Sequence, residues 1–351
     1  RRKRRGRGMD HSAVTWDPVR EGLVKRLNLK IVAEGAITLP AVPALLDEYT
    51  NKCARIFAEV GRGFSDDERA DLRGILERLL GEAFDRSQRS TITISYRSAA
   101  AGPLSYHVNT KCMTIEEAYH YWIETREPPL FGTEPDARVA ALAAAERDPA
   151  GCRILDIGAG TGRNALALAR RGHPVDVVEL TEKFADEIRL AASQESLDVR
   201  VVQSDVFEAD AELRRGYGLI ILSEVVPEFR TNHELRRLFE LADRCLAPGG
   251  VLVFNVFLVH DFYTPDEFAR QFAQQAYSGF FTRGELESAT AGLGLELEAD
   301  DCVFDYEKSN LAEGVWPPTS WYANWVAGHD VFGMPRETCP MDMRWLVYRK
   351  F

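Results

Sequence analysis

The sequence lacks several patterns that would place the protein in a specialised class. No apolar run reaches the about 18 residues of a membrane-spanning helix, so we expect no membrane span. Its six cysteines lie far apart without a CxxC pair, and the histidines lack the spacing of metal ligands, so no metal site is predicted. A secretory signal pattern is also missing, and we therefore expect reduced thiols in a cytoplasmic protein.

What is present is an ordinary globular composition with an uneven distribution of charge. The 351 residues are 45% hydrophobic and 28% charged, which suits one large domain with an elaboration, or two domains. Residues 1–8, RRKRRGRG, are strongly basic, whereas the remainder has 37 basic and 54 acidic residues. We expect residues 1–8 to be a disordered extension before Met9, and the acidic remainder makes nucleic acid an improbable main partner.

The first third of the chain predicts a small mixed layer. Residues 40–89 have helical periodicity, and Ser65 followed by Glu68 is a capping-box pattern. Alternation of apolar and polar residues over 90–110 indicates a β-hairpin. A further helix is predicted from Thr114 to the Pro128-Pro129 stop. We interpret 9–135 as an N-terminal helical and β-hairpin cap domain and 136–351 as the main domain.

From residue 153 the chain predicts strands that alternate with helices, and this pattern is typical of an α/β fold with a mostly parallel sheet. The predicted strands are Arg153–Ile157, Val175–Leu180, Val199–Gln203, Leu219–Ser223 and Val251–Phe257. The predicted helices are 163–171, 182–196 and 233–246. Ligands of open α/β sheets bind at the carboxyl ends of the strands, so we expect the site there.

The first strand runs through Asp156 into a GxGxG turn made by Gly158, Gly160 and Gly162. A dinucleotide fingerprint would have a third glycine one position later, where this chain has Arg163, and a P-loop would need Gly-Lys-Ser/Thr. The acidic residue followed by GxGxG instead resembles the first motif of class I S-adenosylmethionine-dependent methyltransferases. Within that family, the Gly-Arg-Asn that begins at Gly162 is most similar to tellurite-resistance-type and thiopurine-type enzymes, which act on small acceptors.

Later positions agree with this resemblance in the same order as in the family. Glu179 ends the second strand, where the family has a carboxylate for the ribose hydroxyls, and Asp205 stands at the adenine-binding position. The resemblance implies a Rossmann-like sheet with an antiparallel last strand and S-adenosyl-L-methionine as cofactor. The cofactor-binding residues that it implies are Asp156, Gly158, Ala159, Gly160, Gly162, Asn164, Glu179, Leu180, Asp205, Val206, Ser223 and Glu224. Arg126 is a candidate partner of the methionine carboxylate or a helix-end arginine.

The end of the fourth strand bears on the acceptor. Amine methylation of DNA bases or glutamine commonly uses an Asn/Asp-Pro-Pro-aromatic loop there, whereas this chain has Ser-Glu-Val-Val-Pro over 223–227. Glu224 is therefore the leading candidate for a general base or an acceptor-orienting group, or else it contacts the methionine amino group. His260 follows the fifth strand and is a second catalytic candidate, with a solvated loop position as its alternative.

The tail predicts an unusual insertion. A strand toward Phe304 and Tyr306 and a last strand through Arg344–Tyr348 enclose an aromatic insert at about 308–338. Four aromatic residues there are candidates to line an acceptor pocket or to pack a lid on the sheet: Trp316, Trp321, Tyr322 and Trp325. Tyr322 is the third catalytic candidate.

These observations favour a small-molecule methyltransferase, monomeric or homodimeric, that works by in-line displacement in a capped aromatic pocket. A second hypothesis is non-methylating use of the cofactor, by cyclisation or aminobutyryl transfer, with methylthioadenosine as product. Two further hypotheses are a protein or RNA methyltransferase and a cofactor-binding protein without turnover. The sequence does not reveal the acceptor atom.

Overall fold

The computed structural model describes residues 16–351, so the predicted extension at 1–8 lies outside the described residues. The chain divides into two compact units, one that ends at Cys112 and one that comprises Met113–Phe351. The predicted domain boundary at 135/136 thus lies inside the second unit. The reason is that Tyr119 packs edge-on against Phe131 and Phe184, which joins the segment around 115–131 to the second unit. The cap role of 9–135 stays a prediction.

The first unit is a three-stranded antiparallel sheet with helices. Its helices are α1 (Trp16–Asn28), α2 (Leu46–Glu59) and α3 (Asp66–Arg86), and its strands are β1 (Ala33–Pro40), β2 (Thr91–Ser98) and β3 (Leu104–Lys111), in the order β1-β2-β3. The hairpin and the capping box of Ser65 with Glu68 are confirmed. Sequence patterns missed β1, whose glycine, alanine and threonine residues give only weak alternation. Ile92 and Ile94 pack with α2 and α3 in the core.

The second unit contains the expected sheet. Its strands are β4 (Ile154–Ile157), β5 (Val175–Glu179), β6 (Val199–Gln203), β7 (Tyr217–Leu222), β8 (Leu246–Val259), β9 (Phe280–Phe281), β10 (Leu295–Cys302) and β11 (Met341–Lys350). The order is β10-β11-β8-β7-β4-β5-β6, and β9 pairs with β8. Strand β11 is antiparallel to both neighbours, while the pairs among β4 to β8 are parallel. The mostly parallel α/β fold with an antiparallel last strand is confirmed.

Helices cover the sheet of the second unit and produce two apolar layers. The helices are α4 (Ile115–Thr125), α5 (Ala137–Ala144), α6 (Arg163–Arg170), α7 (Glu182–Glu195), α8 (Asn232–Cys245), α9 (Glu267–Gln275), α10 (Arg283–Thr290), α11 (Val303–Asn310), α12 (Tyr322–Val326) and α13 (His329–Phe332). Ile154 lies in one hydrophobic cluster and Leu155 in the other, because successive strand residues point to opposite faces. Among the described residues, every helix is too short or too polar to cross a membrane.

The prediction of a strand toward Phe304 and Tyr306 was wrong in its end point. Strand β10 ends at Cys302, and both aromatic residues lie on helix α11. The helix is favoured because it buries Val303 and directs the Glu307 carboxylate to the backbone N–H groups of Ala137 and Arg138, at 2.7 and 3.1 Å. These partners are about 170 residues away in the chain, so no local pattern indicated them.

Candidate functional site

The glycine loop connects β4 directly to α6. Gly158, Gly160 and Gly162 all have positive φ, at 68°, 55° and 84°, a backbone conformation that favours glycine. A Cβ atom on Gly158 would lie 2.4 Å from Cγ2 of Val225, so the loop also passes too close to its neighbour for a side chain. The sequence therefore encodes a tight turn that ends at the first residue of a helix.

A cavity of about 320 Å³ opens at the carboxyl ends of β4, β5 and β7. It is bordered by most of the residues predicted for the cofactor: Arg126, Asp156, Gly158, Ala159, Gly160, Asn164, Glu179, Leu180, Asp205, Val206, Ser223 and Glu224. Gly162 is outside this lining, behind the turn, where it starts α6. The sheet topology explains this convergence, because the carboxyl ends of parallel strands meet at one edge.

Glu179 holds the loop from the neighbouring strand. Its two carboxylate oxygens accept hydrogen bonds from the backbone N–H groups of Gly160 and Thr181, each at 2.8 Å. Burial raises the pKa of Glu179, and the same two N–H groups oppose that shift by stabilising the ionised form. The arrangement leaves a carboxylate fixed at the wall of the cavity.

Asp156 is buried at the end of β4, and one of its carboxylate oxygens, Oδ2, accepts no hydrogen bond from the described residues. Burial is the main cause that raises the pKa of Asp156 to about 7, and the positive charge of Arg163 acts in the opposite direction. A buried carboxylate oxygen without a donor is costly, so this atom is a place where a ligand donor would be stabilising.

Arg163, which was not among the predicted site residues, lies at the centre of a buried ionic network. Its guanidinium donates to Asp136 Oδ1 at 2.5 Å, to Glu224 Oε1 at 2.8 Å and to Ser223 Oγ at 3.2 Å. Asp136 also accepts from Asn164 and Ser223, at 2.9 and 2.7 Å. The only available sequence signal was a charged residue where helix packing normally favours a small one.

Glu224 projects from a strained turn after β7. Its φ is +63°, and its backbone N–H donates to Asn255 Oδ1 at 2.6 Å. Burial raises the pKa of Glu224 to about 7, and the charge of Arg163 partly offsets this. A carboxyl group with a pKa near neutrality, held at a cavity wall, is suited to accept or return a proton. Positive φ in a non-glycine residue is consistent with a constrained functional turn.

The other side of the cavity is aromatic. Trp122 and Tyr277 have ring centroids 5.0 Å apart, and Trp321 and Trp325 are 5.5 Å apart. Trp325 Nε1 donates to the backbone oxygen of Tyr277 at 3.0 Å, which joins the two pairs. We call these four residues the aromatic wall. Of the aromatic candidates in the insert, Trp321 and Trp325 line the cavity, while Trp316 and Tyr322 are outside its lining.

The structure does not bring the other two catalytic candidates to the lining. The His260 side chain is 42% exposed, stacks on Phe262 and lies 3.6 Å from Asp342, outside the cavity. Its position just beyond β8 suggested proximity, but the chain turns toward solvent there. Tyr322 is buried behind the cavity, and burial, with smaller effects of Asp136 and Glu224, raises its pKa well above the ordinary value. Its hydroxyl has no partner among the described residues.

Arg126 borders the cavity from the end of α4. Its guanidinium carbon lies 4.0 Å from the ring centroid of Trp122, a cation–π contact. Both predicted roles, a partner for a carboxylate and a helix-end arginine, are compatible with this position. In the part of the chain that the structure describes, no cluster of histidine, cysteine, aspartate or glutamate is arranged to hold a metal ion.

Comparisons with known proteins agree with this geometry. Residues 154–250 match the family model described as a methyltransferase domain. The chain is 31% identical over 130 residues to the ribosomal RNA small subunit methyltransferase C of Chromohalobacter salexigens, covering 34% of this chain and 37% of that protein. It is 26% identical over 118 residues to the tRNA 5-carboxymethoxyuridine methyltransferase of Escherichia coli K12, covering 33% and 44%. The chain spans less than half the length of these curated relatives.

Among solved structures, geranyl diphosphate C-methyltransferase from Streptomyces coelicolor A3(2) matches with a TM-score of 0.45 and 16% identity, over 63% of this chain and 87% of that chain. The sequence match to the family model and the strand order described above identify the domain. Residues 154–250 are a methyltransferase domain of the class I type, and the cofactor of that class is S-adenosylmethionine.

Proposed function

We propose that this protein transfers the methyl group of S-adenosylmethionine to a small-molecule acceptor. The observation that supports this most directly is that the carboxylates predicted for the cofactor and the aromatic wall border a single cavity. Its volume of about 320 Å³ lies within the range of about 300–1,000 Å³ that is usual for small-molecule sites. Acceptor and cofactor would therefore meet in a confined space.

The residues present fit the cofactor. The unpartnered Oδ2 atom of Asp156 suits a donor such as the methionine ammonium, and Gly158 borders the same cavity. We assign Glu179 to the ribose hydroxyls and Asp205 to the adenine, and both residues border the cavity. The bound cofactor supplies an electrophilic methyl group on a sulfonium. The chain then has to hold the acceptor in line with it and exclude water.

Glu224 is the group best placed to act on the acceptor. It lines the cavity, and Arg163 and Asn255 restrict its side chain and its backbone. We infer that Glu224 orients the acceptor or takes up its proton. Arg163 would act through Glu224, by fixing the direction of its carboxylate and by favouring its ionised form.

The relatives named above favour one other candidate, methylation of RNA. Both relatives are named for RNA substrates, and each match covers about a third of this chain. The cavity argues against this substrate class, because seven carboxylates and two guanidiniums border it and a phosphate backbone is repelled by such a surface.

The test is mass spectrometry of the nucleoside products after the purified protein is incubated with S-adenosylmethionine. We expect S-adenosylhomocysteine to form only when a fractionated extract of small metabolites is added. Formation of methylthioadenosine without extract would contradict methyl transfer, and S-adenosylhomocysteine formed with purified RNA but with no metabolite fraction would contradict a small acceptor. The Glu224→Gln variant, with Glu240→Gln on the neighbouring helix α8 as control, tests the assigned group.

A further inference from the structure

The cavity has a strong excess of negative charge. Seven carboxylates and two guanidiniums border it. Asp156, Glu179 and Asp205 belong to the part that the cofactor would occupy. Glu234 is already used, because it accepts hydrogen bonds from the backbone N–H groups of Arg230 and Thr231, at 2.7 and 2.8 Å, at the start of α8. Of the three others that border the cavity, we assign Glu224 and Asp330 to the acceptor side.

The guanidinium of Arg163 does not neutralise the acceptor side. It is shared between Asp136 and Glu224, whose carboxylates lie 2.5 and 2.8 Å from it. One positive charge therefore faces two carboxylates, and the group as a whole is negative when both are ionised. The second guanidinium, Arg126, stacks on Trp122 at the exposed end of α4.

The aromatic wall presents the chemistry that complements this charge. Aromatic ring faces are electron-rich and attract cations within about 6 Å of the ring centroid. The stacking of Arg126 on Trp122, at 4.0 Å, is an instance within the wall itself. Trp321 and Trp325 lie further along the same wall, and α13 with Asp330 follows them directly.

We propose that the acceptor carries a positively charged ammonium group, which binds between the aromatic wall and the carboxylates of Glu224 and Asp330. This inference rests on the proposed function and specifies its substrate class. An anionic acceptor would be repelled by the excess of carboxylates around the cavity, and a neutral one would gain nothing from their charge.

A competing explanation is that the wall serves the sulfonium of the cofactor. The two explanations predict different binding preferences, which can be measured with different ligands. If the wall serves the cofactor, S-adenosylmethionine should bind more tightly than S-adenosylhomocysteine, whose sulfur is uncharged. Trp321→Leu should then remove this difference in affinity. A wall that serves the acceptor would show its preference for cations in protein that is already saturated with S-adenosylhomocysteine.

The experiment is calorimetric titration of the full chain, saturated with S-adenosylhomocysteine, with choline and with its neutral isostere 3,3-dimethylbutan-1-ol. We expect choline to bind about tenfold more tightly, and Trp321→Leu to remove this preference. Trp316→Leu is the matched control, because Trp316 belongs to the same insert but is outside the lining, and it should retain the preference. Equal binding of the two probes, or an equal effect of both variants, would overturn the inference.

A turnover measurement separates this inference from the proposed function. The metabolite extract is divided on a cation exchanger, and each fraction is tested for conversion of S-adenosylmethionine to S-adenosylhomocysteine. Activity in the retained fraction is the expected result. Activity only in the unretained fraction would keep the proposed function and overturn the cationic acceptor. If every fraction is inactive, the proposed function fails, and the choline titration still decides what the wall binds.

Discussion

The two compact units each bury an arginine, but the surroundings of the two side chains differ. Arg62 in the first unit donates six hydrogen bonds to backbone oxygens, among them those of Asn28, Ala99 and Gly102 at 2.8 to 2.9 Å. Arg163 in the second unit is held by the carboxylates of Asp136 and Glu224. Backbone partners cannot titrate, whereas carboxylates can.

This difference separates a structural use of charge from a chemical one. The Arg62 side chain ties the end of α1 and the β2–β3 turn to the segment after α2, and its partners lie within 28–102. The Arg163 network reaches a cavity wall and includes a carboxyl group whose pKa is raised to about 7. Buried groups with shifted pKa values next to a cavity are typical of functional sites.

The largest expected effect is that of Arg163→Met. Removal of the guanidinium leaves two buried carboxylates without their counter-charge, and we expect the free energy of unfolding to fall by about 3–5 kcal/mol. Urea unfolding followed by tryptophan fluorescence measures this, because Trp122, Trp316, Trp321, Trp325 and Trp345 all lie in the second unit. Arg170→Met, on the same helix but in an exposed pair with Glu195, should cost less than about 1 kcal/mol.

Arg62→Met provides the other half of the comparison. We expect faster amide exchange in β2 and β3 and an unchanged affinity for S-adenosylhomocysteine, because each hydrogen bond of Arg62 lies within the first unit. A loss of affinity as large as that caused by Arg163→Met would contradict the division into structural and chemical roles.

Glu179→Ala should reduce the affinity for S-adenosylmethionine by about 100-fold, or roughly 3 kcal/mol. The variant removes the predicted ribose acceptor and also frees the N–H groups of Gly160 and Thr181. Calorimetric titration measures the affinity, and circular dichroism confirms the fold. Glu195→Ala, at the end of the following helix α7, is the control and should bind normally. Unchanged binding by Glu179→Ala would remove this residue from the cofactor site.

The free energy of unfolding should depend on pH in the opposite sense to that expected from a carboxylate whose pKa is lowered by folding. The pKa values of Asp156 and Glu224 are raised to about 7, above their values in the unfolded chain, so folding takes up protons at intermediate pH. The free energy of unfolding should therefore decrease as the pH rises from about 5 to about 8, by roughly 1–3 kcal/mol.

Urea unfolding at several pH values measures this slope. Glu224→Gln cannot ionise and should reduce the slope to the contribution of Asp156. Glu195→Gln should not change the slope, because the pKa of Glu195 is lowered by its bond to Arg170. A slope that Glu224→Gln leaves unaltered would show that Glu224 does not titrate in this range.

The smallest expected effect is a difference in stability between two glycine variants, which distinguishes the cost of close packing from the cost of a positive φ. Gly158→Ala adds a clash with Val225 to the strain of a positive φ, while Gly249→Ala has a positive φ of 77° and open space. We expect Gly158→Ala to be less stable than Gly249→Ala by about 1 kcal/mol and to bind S-adenosylhomocysteine more weakly. Equal stabilities in thermal unfolding would mean that Val225 moves aside.

Sequence patterns predicted the second unit better than the first. Strand β6 matches its predicted bounds, and β4, β5 and α6 to α8 agree within one residue, because alternating strands and helices produce clear periodicities. Strand β8 begins at Leu246, five residues before its predicted start, since Leu246 pairs with Tyr217 across a register shift. Helix α1 was missed, and so was strand β1, whose pairing partner β2 begins only at Thr91.

The sequence by itself determined the α/β topology, the glycine turn and the carboxylates that follow successive strands, because each of these has a local signature in residue type and spacing. Only the tertiary structure decided which of them act together. One buried network joins Arg163 to Asp136, which is 27 residues away in the chain, and to Glu224, which is 61 residues away. Trp122, Tyr277 and Trp321 come from three distant segments and form one wall. Such contacts depend on how the helices pack on the sheet, and this packing cannot be predicted from the spacing of residues along the chain.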